Sequence, residues 1–219
     1  MLILLVAMIA TVSMYAQDSV QVNSSVDVVS RFIFRGANVG GESSHIQPVI
    51  YADYKGFEVS AWGSYGISNN YTEVDLSVKY TYKSLSVQFT NYNIPTGPNF
   101  TTNTLFNPNL SFNFVEIGLY YNSDLVPINA YVATNVYGDN LYSTYVELST
   151  VIPIGDNSLN VLAGITPYTS IYGNPGLVNI GAVYSRNVII TDSFSVPTKL
   201  SCYWNPQTDS KFLVVGITF

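Results

Sequence analysis

Several residue types that would define a function class are scarce in this 219-residue chain. A single cysteine, Cys202, means that no disulfide can form within the chain. With one histidine, His45, a nitrogen- or sulfur-ligated metal site is not expected. Only 10% of the residues are charged, against about 25% in typical soluble domains. The net charge of −6 offers no basic surface for nucleic acid, and we predict neither a nucleic-acid partner nor a cofactor.

Long apolar runs are also scarce. Residues 1–16 form the longest run, which is shorter than the about 20 residues of a membrane-spanning helix. We therefore predict a signal peptide over residues 1–16, with residues 17–219 forming the exported domain. No later run reaches eighteen apolar residues, so no transmembrane helix is predicted.

Alternation of apolar and polar residues dominates the rest of the chain and indicates β-strands. In residues 72–82, Val74, Leu76 and Val78 share one face, and Glu73 and Asp75 share the other. We predict about twelve such strands, near 25–35, 45–55, 57–67, 72–82, 84–93, 111–121, 126–138, 142–152, 158–167, 176–187, 193–204 and 210–219.

The connections between these segments tend to alternate between short turns and longer loops, the longest of which is predicted at 95–109. This pattern is typical of a transmembrane antiparallel up-and-down β-barrel. The predicted fold class is therefore all-β, with both chain ends at the rim that carries the short turns.

Charge placement favours a bacterial outer-membrane barrel over a water-soluble one, in which the apolar face would pack a dry core. The apolar face of the predicted strands is almost free of charges, as contact with lipid requires. The candidate pore-lining residues on the opposite face are Asp27, Arg31, Arg35, Asp53, Glu58, Glu73, Asp75, Lys79, Glu116, Glu147 and Lys199. The candidate aromatic residues for the lipid–water interfaces are Phe34, Tyr54, Phe57, Tyr65, Tyr82, Tyr121, Trp204 and Phe219.

The last residues, KFLVVGITF, form an apolar ladder that ends on Phe219. A closed barrel requires its last strand to pair with its first. We expect Leu213, Val215, Ile217 and Phe219 to face lipid. The pattern resembles the carboxy-terminal signal that outer-membrane barrels present to the barrel-assembly machinery.

Residues 26–66 hold a distinctive set of residues: Ser30, Phe32, Phe34, Arg35 and Gly36 in the first strand, Pro48 in the second, and Gly56, Trp62 and Ser64 in the third. In these features the stretch resembles the beginning of the TorF-type porin family, a conserved family of hypothetical outer-membrane barrels. The resemblance implies an outer-membrane β-barrel and does not indicate a transported substrate.

Catalysis is not predicted. The histidine-x-serine spacing of barrel phospholipases is absent, because Gln47 lies where the serine would be. Glu73 and Asp75 lie about 7 Å apart on one strand face; they could share a cation, although plain pore lining is the commoner role of such acids. No metal site is predicted.

The sequence favours an outer-membrane porin-like channel for passive diffusion of ions or small solutes, with weak cation preference. Two alternatives are a closed structural or adhesive barrel and, less favoured, a lipid-active barrel enzyme. The lumen charges allow two arrangements. Arg31 and Arg35 could face Glu73, Asp75 and Lys79 across an open lumen, or the charged groups could pair and partly fill it.

Overall fold

The computed structural model describes residues 19–95, 111–123, 125–192 and 194–219. The predicted signal peptide and nearly all of the predicted loop at 95–109 lie outside these residues. In the described part of the chain, no helix is long and apolar enough to cross a membrane.

Twelve antiparallel strands close into a barrel, which confirms the predicted fold class and strand number. Each strand pairs with its neighbours in sequence, and the last pairs with the first. The barrel strands are β1 (Gln21–Val29), β4 (His45–Tyr54), β5 (Phe57–Gly66), β6 (Thr72–Tyr82), β7 (Leu85–Pro95), β8 (Ser111–Ser123), β9 (Val126–Tyr137), β10 (Thr144–Ile154), β11 (Asn157–Thr166), β12 (Gly176–Thr191), β13 (Phe194–Asn205) and β14 (Ser210–Thr218). Two further strands, β2 (Ile33–Phe34) and β3 (Ala37–Asn38), form a separate hairpin.

Short turns and both ends of the barrel sequence lie at one end of the barrel, the turn rim. The turn at Lys55 and Gly56 has φ values of 50° and 87°. Two positive φ values are typical of the type I′ turn, whose twist matches that of the flanking strands. Longer connections, including 67–71, 138–143 and 167–175, lie at the opposite end, the loop rim.

The barrel closes through β1 and β14, in the register that pairs Asp27 with Thr218. Val26 and Phe219 exchange two backbone hydrogen bonds of 2.9 and 3.0 Å. The terminal phenylalanine is therefore fixed by the first strand. Closure leaves neither strand with an unpaired edge along this length.

Apolar side chains lie on the outside of the barrel and polar side chains on the inside. On β4, Ile46 and Ile50 are 42% and 53% exposed, whereas the alternate residues His45 and Gln47 are buried. The fully buried side chains of the described residues include Glu116 and several Asn, Ser and Thr side chains. The predicted direction of the two faces is confirmed, and the alternative of a barrel with a dry apolar core is wrong.

The first strand differs from its predicted bounds. It ends at Val29 rather than near residue 35, and residues 30–44 leave the barrel wall. Positive φ angles at Arg35 and Gly36 reverse the chain where the alternation predicted a continuous strand. The other predicted strands agree with the observed bounds to within a few residues.

Candidate functional site

Residues 30–44 fold from the loop rim into the barrel interior, and we call this segment the plug. Its tip is the short hairpin β2–β3, whose turn residues Arg35 and Gly36 have φ values of 50° and 79°. A Cβ atom at position 36 would lie 2.1 Å from the carbonyl oxygen of Val178 on β12. Both the turn and the close approach to the wall therefore require glycine.

Arg35 anchors the tip of the plug to the wall through Glu116 on β8. Its Nη1 and Nη2 atoms donate to the two carboxylate oxygens at 2.6 and 2.9 Å. The two side chains are only 6% and 2% exposed. Tyr92 and Tyr131 also donate to Glu116, at 2.9 and 2.8 Å. The carboxylate thus has four donors, which compensates for its removal from water.

Aromatic rings enclose the guanidinium group of Arg35. Its Cζ atom lies 4.6 Å from the ring centre of Phe34, 4.7 Å from that of Tyr145 and 5.0 Å from that of Tyr172. Tyr172, from the loop between β11 and β12, also accepts a hydrogen bond from Arg35. Burial alone would lower the pKa of Arg35, but its bond to Glu116 and the charge of that residue raise it well above the usual value. The arginine therefore stays charged.

His45 forms a second anchor, at the base of the plug. Its Nε2 atom lies 3.0 Å from the Gly40 carbonyl oxygen, and its Nδ1 atom lies 2.9 Å from Ser64 Oγ. In the neutral imidazole, Nε2 then carries the proton and Nδ1 accepts from the Ser64 hydroxyl group. A Cβ atom at position 40 would lie 2.4 Å from Nε2, so the contact depends on glycine.

The sequence analysis did not place a serine beside His45, and Ser64 is that serine. Histidine–serine pairs can activate a nucleophile. Here both side chains are fully buried, and both ring nitrogens are engaged within the protein. The pair therefore holds the plug to β4 and β5 and leaves no space for a substrate at the hydroxyl group.

Further contacts join the plug to other parts of the wall. The Phe32 ring lies 5.4 Å from that of Trp62 and 6.0 Å from that of Tyr71. Four strands away around the barrel, Asn205 on β13 donates to the Gly36 carbonyl oxygen at 3.3 Å. The plug thus spans the lumen from β5 to β13 in its loop-rim half.

Two cavities flank the plug. One, of about 310 Å³, lies between the plug and the loop-rim ends of β6–β9. The other, of about 330 Å³, lies between the plug and the interior faces of β1 and β12–β14. Asp27, Arg31 and Lys199 line the second cavity, so its wall carries both signs of charge.

The strand positions among the predicted pore-lining residues all face the barrel interior. They are Asp27, Asp53, Glu58, Glu73, Asp75, Lys79, Glu116, Glu147 and Lys199. Several of them form ion pairs: Lys79 Nζ lies 2.8 Å from Glu58 Oε2, and Lys199 Nζ lies 3.4 Å from Asp27 Oδ2. Whether they line a conducting path stays a prediction.

Arg31 and Arg35 require a correction. Both were predicted on the interior face of the first strand, but both belong to the plug because β1 ends before them. Arg31 pairs with Glu42, another plug residue, and Arg35 pairs with Glu116. Neither arginine pairs with Glu73, Asp75 or Lys79, so the structure matches neither of the two predicted arrangements: the plug fills part of the lumen, and its arginines pair with other acids.

Most of the predicted interface aromatics lie on the outer surface. Tyr54, Phe57, Tyr82, Tyr121 and Phe219 lie near the turn rim, and Tyr65 and Trp204 lie near the loop rim. Phe34 is the exception and corrects the prediction. It lies on the plug, with its ring centre 6.0 Å from that of Tyr92 inside the barrel.

The loop-rim half of the interior carries more carboxylates than bases. Glu73 accepts a hydrogen bond of 2.6 Å from the Tyr71 hydroxyl group. The Oδ1 atom of Asp75 is buried and has no hydrogen-bond partner in the part of the chain that the structure describes. Arg35 pairs with Glu116, and no ion pair of Glu73 or Asp75 occurs among the described residues. No cluster of three or more His, Cys, Asp or Glu residues suited to a metal ion occurs among the described residues.

The sequence analysis missed the tyrosines that hold the plug. Tyr92, Tyr131 and Tyr145 all face inward and surround the Arg35–Glu116 pair. A signal was present in the alternation, because Tyr131 shares its strand face with Asn129 and Asn135. An aromatic residue on the polar face of a predicted barrel strand indicates an interior contact.

Comparison with known proteins adds no family assignment. No protein-family model matches this chain, and no curated protein matches it. The resemblance of residues 26–66 to the TorF-type porin family stays a prediction.

Proposed function

We propose that this protein is a bacterial outer-membrane barrel that passes ions or small solutes through a lumen narrowed by the plug. The observation that carries the proposal is a plug of residues 30–44 crossing a polar interior that is enclosed by an apolar exterior. An exterior with many exposed Leu, Ile, Val and aromatic side chains suits contact with lipid. On this proposal, the carboxy-terminal strand is what the barrel-assembly machinery recognises.

Weak cation preference follows from the interior charges. Acidic residues on the interior faces of the strands outnumber the lysines there, and Arg35 is neutralised by Glu116. Uncompensated carboxylates in a narrow passage raise the local concentration of cations and lower that of anions. The preference is weak because Lys79 and Lys199 each neutralise one acid.

Planar-bilayer recordings of the refolded barrel test this proposal. We expect rare, small conductance steps from the native protein, because the plug is fixed at Arg35 and His45. The variant Arg35→Met should give larger and more frequent steps, with K⁺ passing more readily than Cl⁻. The matched control is Arg186→Met, which removes the same charge from an exposed side chain on the outer surface.

A closed structural barrel is the second candidate, and the density of plug contacts with the wall favours it. Silent bilayers from both the native protein and the Arg35→Met variant, with correct folding shown by circular dichroism, would identify the closed barrel. Steps with clear anion preference would contradict the proposed selectivity.

A further inference from the structure

The cavity of about 310 Å³ on the loop-rim side of the plug has a mostly apolar wall. The wall includes Phe34 and Val39 from the plug, Ile94 and Phe114 from the barrel strands, and Tyr172 from a loop. Ala37, an exposed residue, also belongs to this wall, so solvent reaches the cavity. Small-molecule sites are typically concave and apolar with a few placed polar groups, in volumes of about 300–1,000 Å³.

Two charged side chains, Arg35 and Glu73, line the cavity, and they differ in how readily a ligand can bind to them. The Nη atoms of Arg35 donate to Glu116, Tyr131 and Tyr172. An anionic ligand would have to displace a buried carboxylate to reach this guanidinium group. The cavity is therefore unsuited to anions.

Glu73 is the group that can accept a ligand. Its Oε2 atom accepts a hydrogen bond from the Tyr71 hydroxyl group, and none of the ion pairs among the described residues involves Glu73. Asp75 follows two positions later on the same strand face, about 7 Å away by strand geometry, and its buried Oδ1 atom has no hydrogen-bond partner among the described residues. One end of the cavity thus presents the carboxyl group of Glu73, which no lysine or arginine among the described residues pairs with, and a second acid with an unused acceptor atom lies nearby on the same strand.

A hydrated metal ion does not fit this wall. Such a cation needs about six oxygen ligands or retained waters, and most of the surface here is hydrocarbon. An organic cation suits the wall better, because its apolar part can replace water along the rings and aliphatic side chains. The rings of Tyr71, Tyr92 and Phe34 also line the cavity and can contact a cation with their faces.

We propose that this cavity binds a small organic ammonium ion, with its apolar body among Phe34, Ile94 and Phe114 and its cationic group against Glu73. At about 30 Å³ of liquid volume per water molecule, the cavity holds roughly ten such units. A benzyl- or short alkyl-ammonium ion has this size. The proposal goes beyond passive conduction, because it assigns an equilibrium binding site reached from the loop rim.

Isothermal titration calorimetry on the refolded barrel in nonionic detergent tests the proposal, with empty micelles as the blank. The probes are benzyltrimethylammonium, the neutral analogue benzyl alcohol and the anion phenylacetate. We expect saturable binding of the ammonium ion and at least tenfold weaker binding of the other two. Glu73→Gln should weaken ammonium binding at least tenfold, whereas Asp53→Asn, the same charge change near the turn rim, should leave it unchanged.

A second variant keeps the test decisive if Glu73→Gln does not fold. Ala37→Trp leaves every charge in place and fills part of the cavity, so it should abolish binding. Equal affinity for benzyl alcohol, an unchanged affinity in Glu73→Gln or Ala37→Trp, or the absence of saturable binding would each overturn the assignment. Because binding is measured without a membrane potential or conductance, this outcome is independent of the channel proposal.

Discussion

The Arg35–Glu116 pair offers the sharpest test of how the plug is held. Removing one partner of a buried ion pair costs about 3–5 kcal/mol, because the remaining charge is left buried. The low end of this range applies to Arg35→Met, because Tyr92 and Tyr131 still donate to the Glu116 carboxylate. A shift of about 3 kcal/mol changes the docked-to-undocked ratio of the plug by more than 100-fold, at 1.4 kcal/mol per factor of ten.

The double variant Arg35→Met/Glu116→Gln should behave differently from either single variant. Uncharged side chains replace both buried charges, and such replacements often change the free energy of unfolding very little. We expect the plug of the double variant to dock within about 1–2 kcal/mol of the native protein. The coupling free energy between the two positions is therefore expected to be large.

Hydrogen–deuterium exchange of the backbone amides in residues 30–44, with the barrel in lipid nanodiscs, measures these shifts. Both single variants should speed exchange across the plug by 100-fold or more at positions that exchange through undocking. Arg186→Met is the matched control and should leave exchange unchanged. Equal exchange in Arg35→Met and the native protein, or additive effects of the two substitutions, would refute the reasoning.

Gly40→Ala places a Cβ atom 2.4 Å from His45 Nε2 and should weaken plug docking by about 1–3 kcal/mol. Unchanged hydrogen–deuterium exchange of the backbone amides at residues 38–45 would contradict this prediction. Leu213→Arg puts a charge on the outer surface and should reduce folding stability in lipid by about 2–4 kcal/mol. Val183 borders the interior cavity, so Val183→Arg should cost less. Equal urea midpoints of the two variants would argue against a lipid-facing exterior. Partial burial would raise the pKa of Asp139, but hydrogen bonds from Ser143, Leu141 and Asn135 lower it, so the loop at 138–143 should lose stability as pH falls below about 4. The protection factors of its amides, which correct for the pH dependence of intrinsic exchange, should fall with acid in the native protein and should not fall in Asp139→Asn.

The alternation of residues determined most of the fold. A period of two fixes which side chains share a face of a strand, and turn residues such as Lys55-Gly56 fix where strands reverse. Which face of each strand points outward was also predictable, because the charges fall on one face and the other face is almost free of them. The terminal ladder ending at Phe219 indicated closure, and the structure confirms its pairing with Val26.

The plug was not predictable from the same signals. Residues 25–35 alternate like the other strands, so the pattern assigns Arg31, Phe34 and Arg35 to the wall. The chain instead reverses at Arg35-Gly36, because the interior supplies Glu116 and a ring of tyrosines that compensate for burying the arginine. A contact between residues 81 positions apart has no local signature.

The sequence by itself therefore determined the strands, their faces and the closed barrel, since each depends on neighbours along the chain or on the next strand. The tertiary structure alone decided that residues 30–44 fill the loop-rim half of the lumen and that Glu73 faces a cavity beside them. The plug is held by contacts such as Arg35–Glu116, which join parts of the chain that are far apart in sequence. The free energy of these contacts exists only once closure has formed the interior of the barrel.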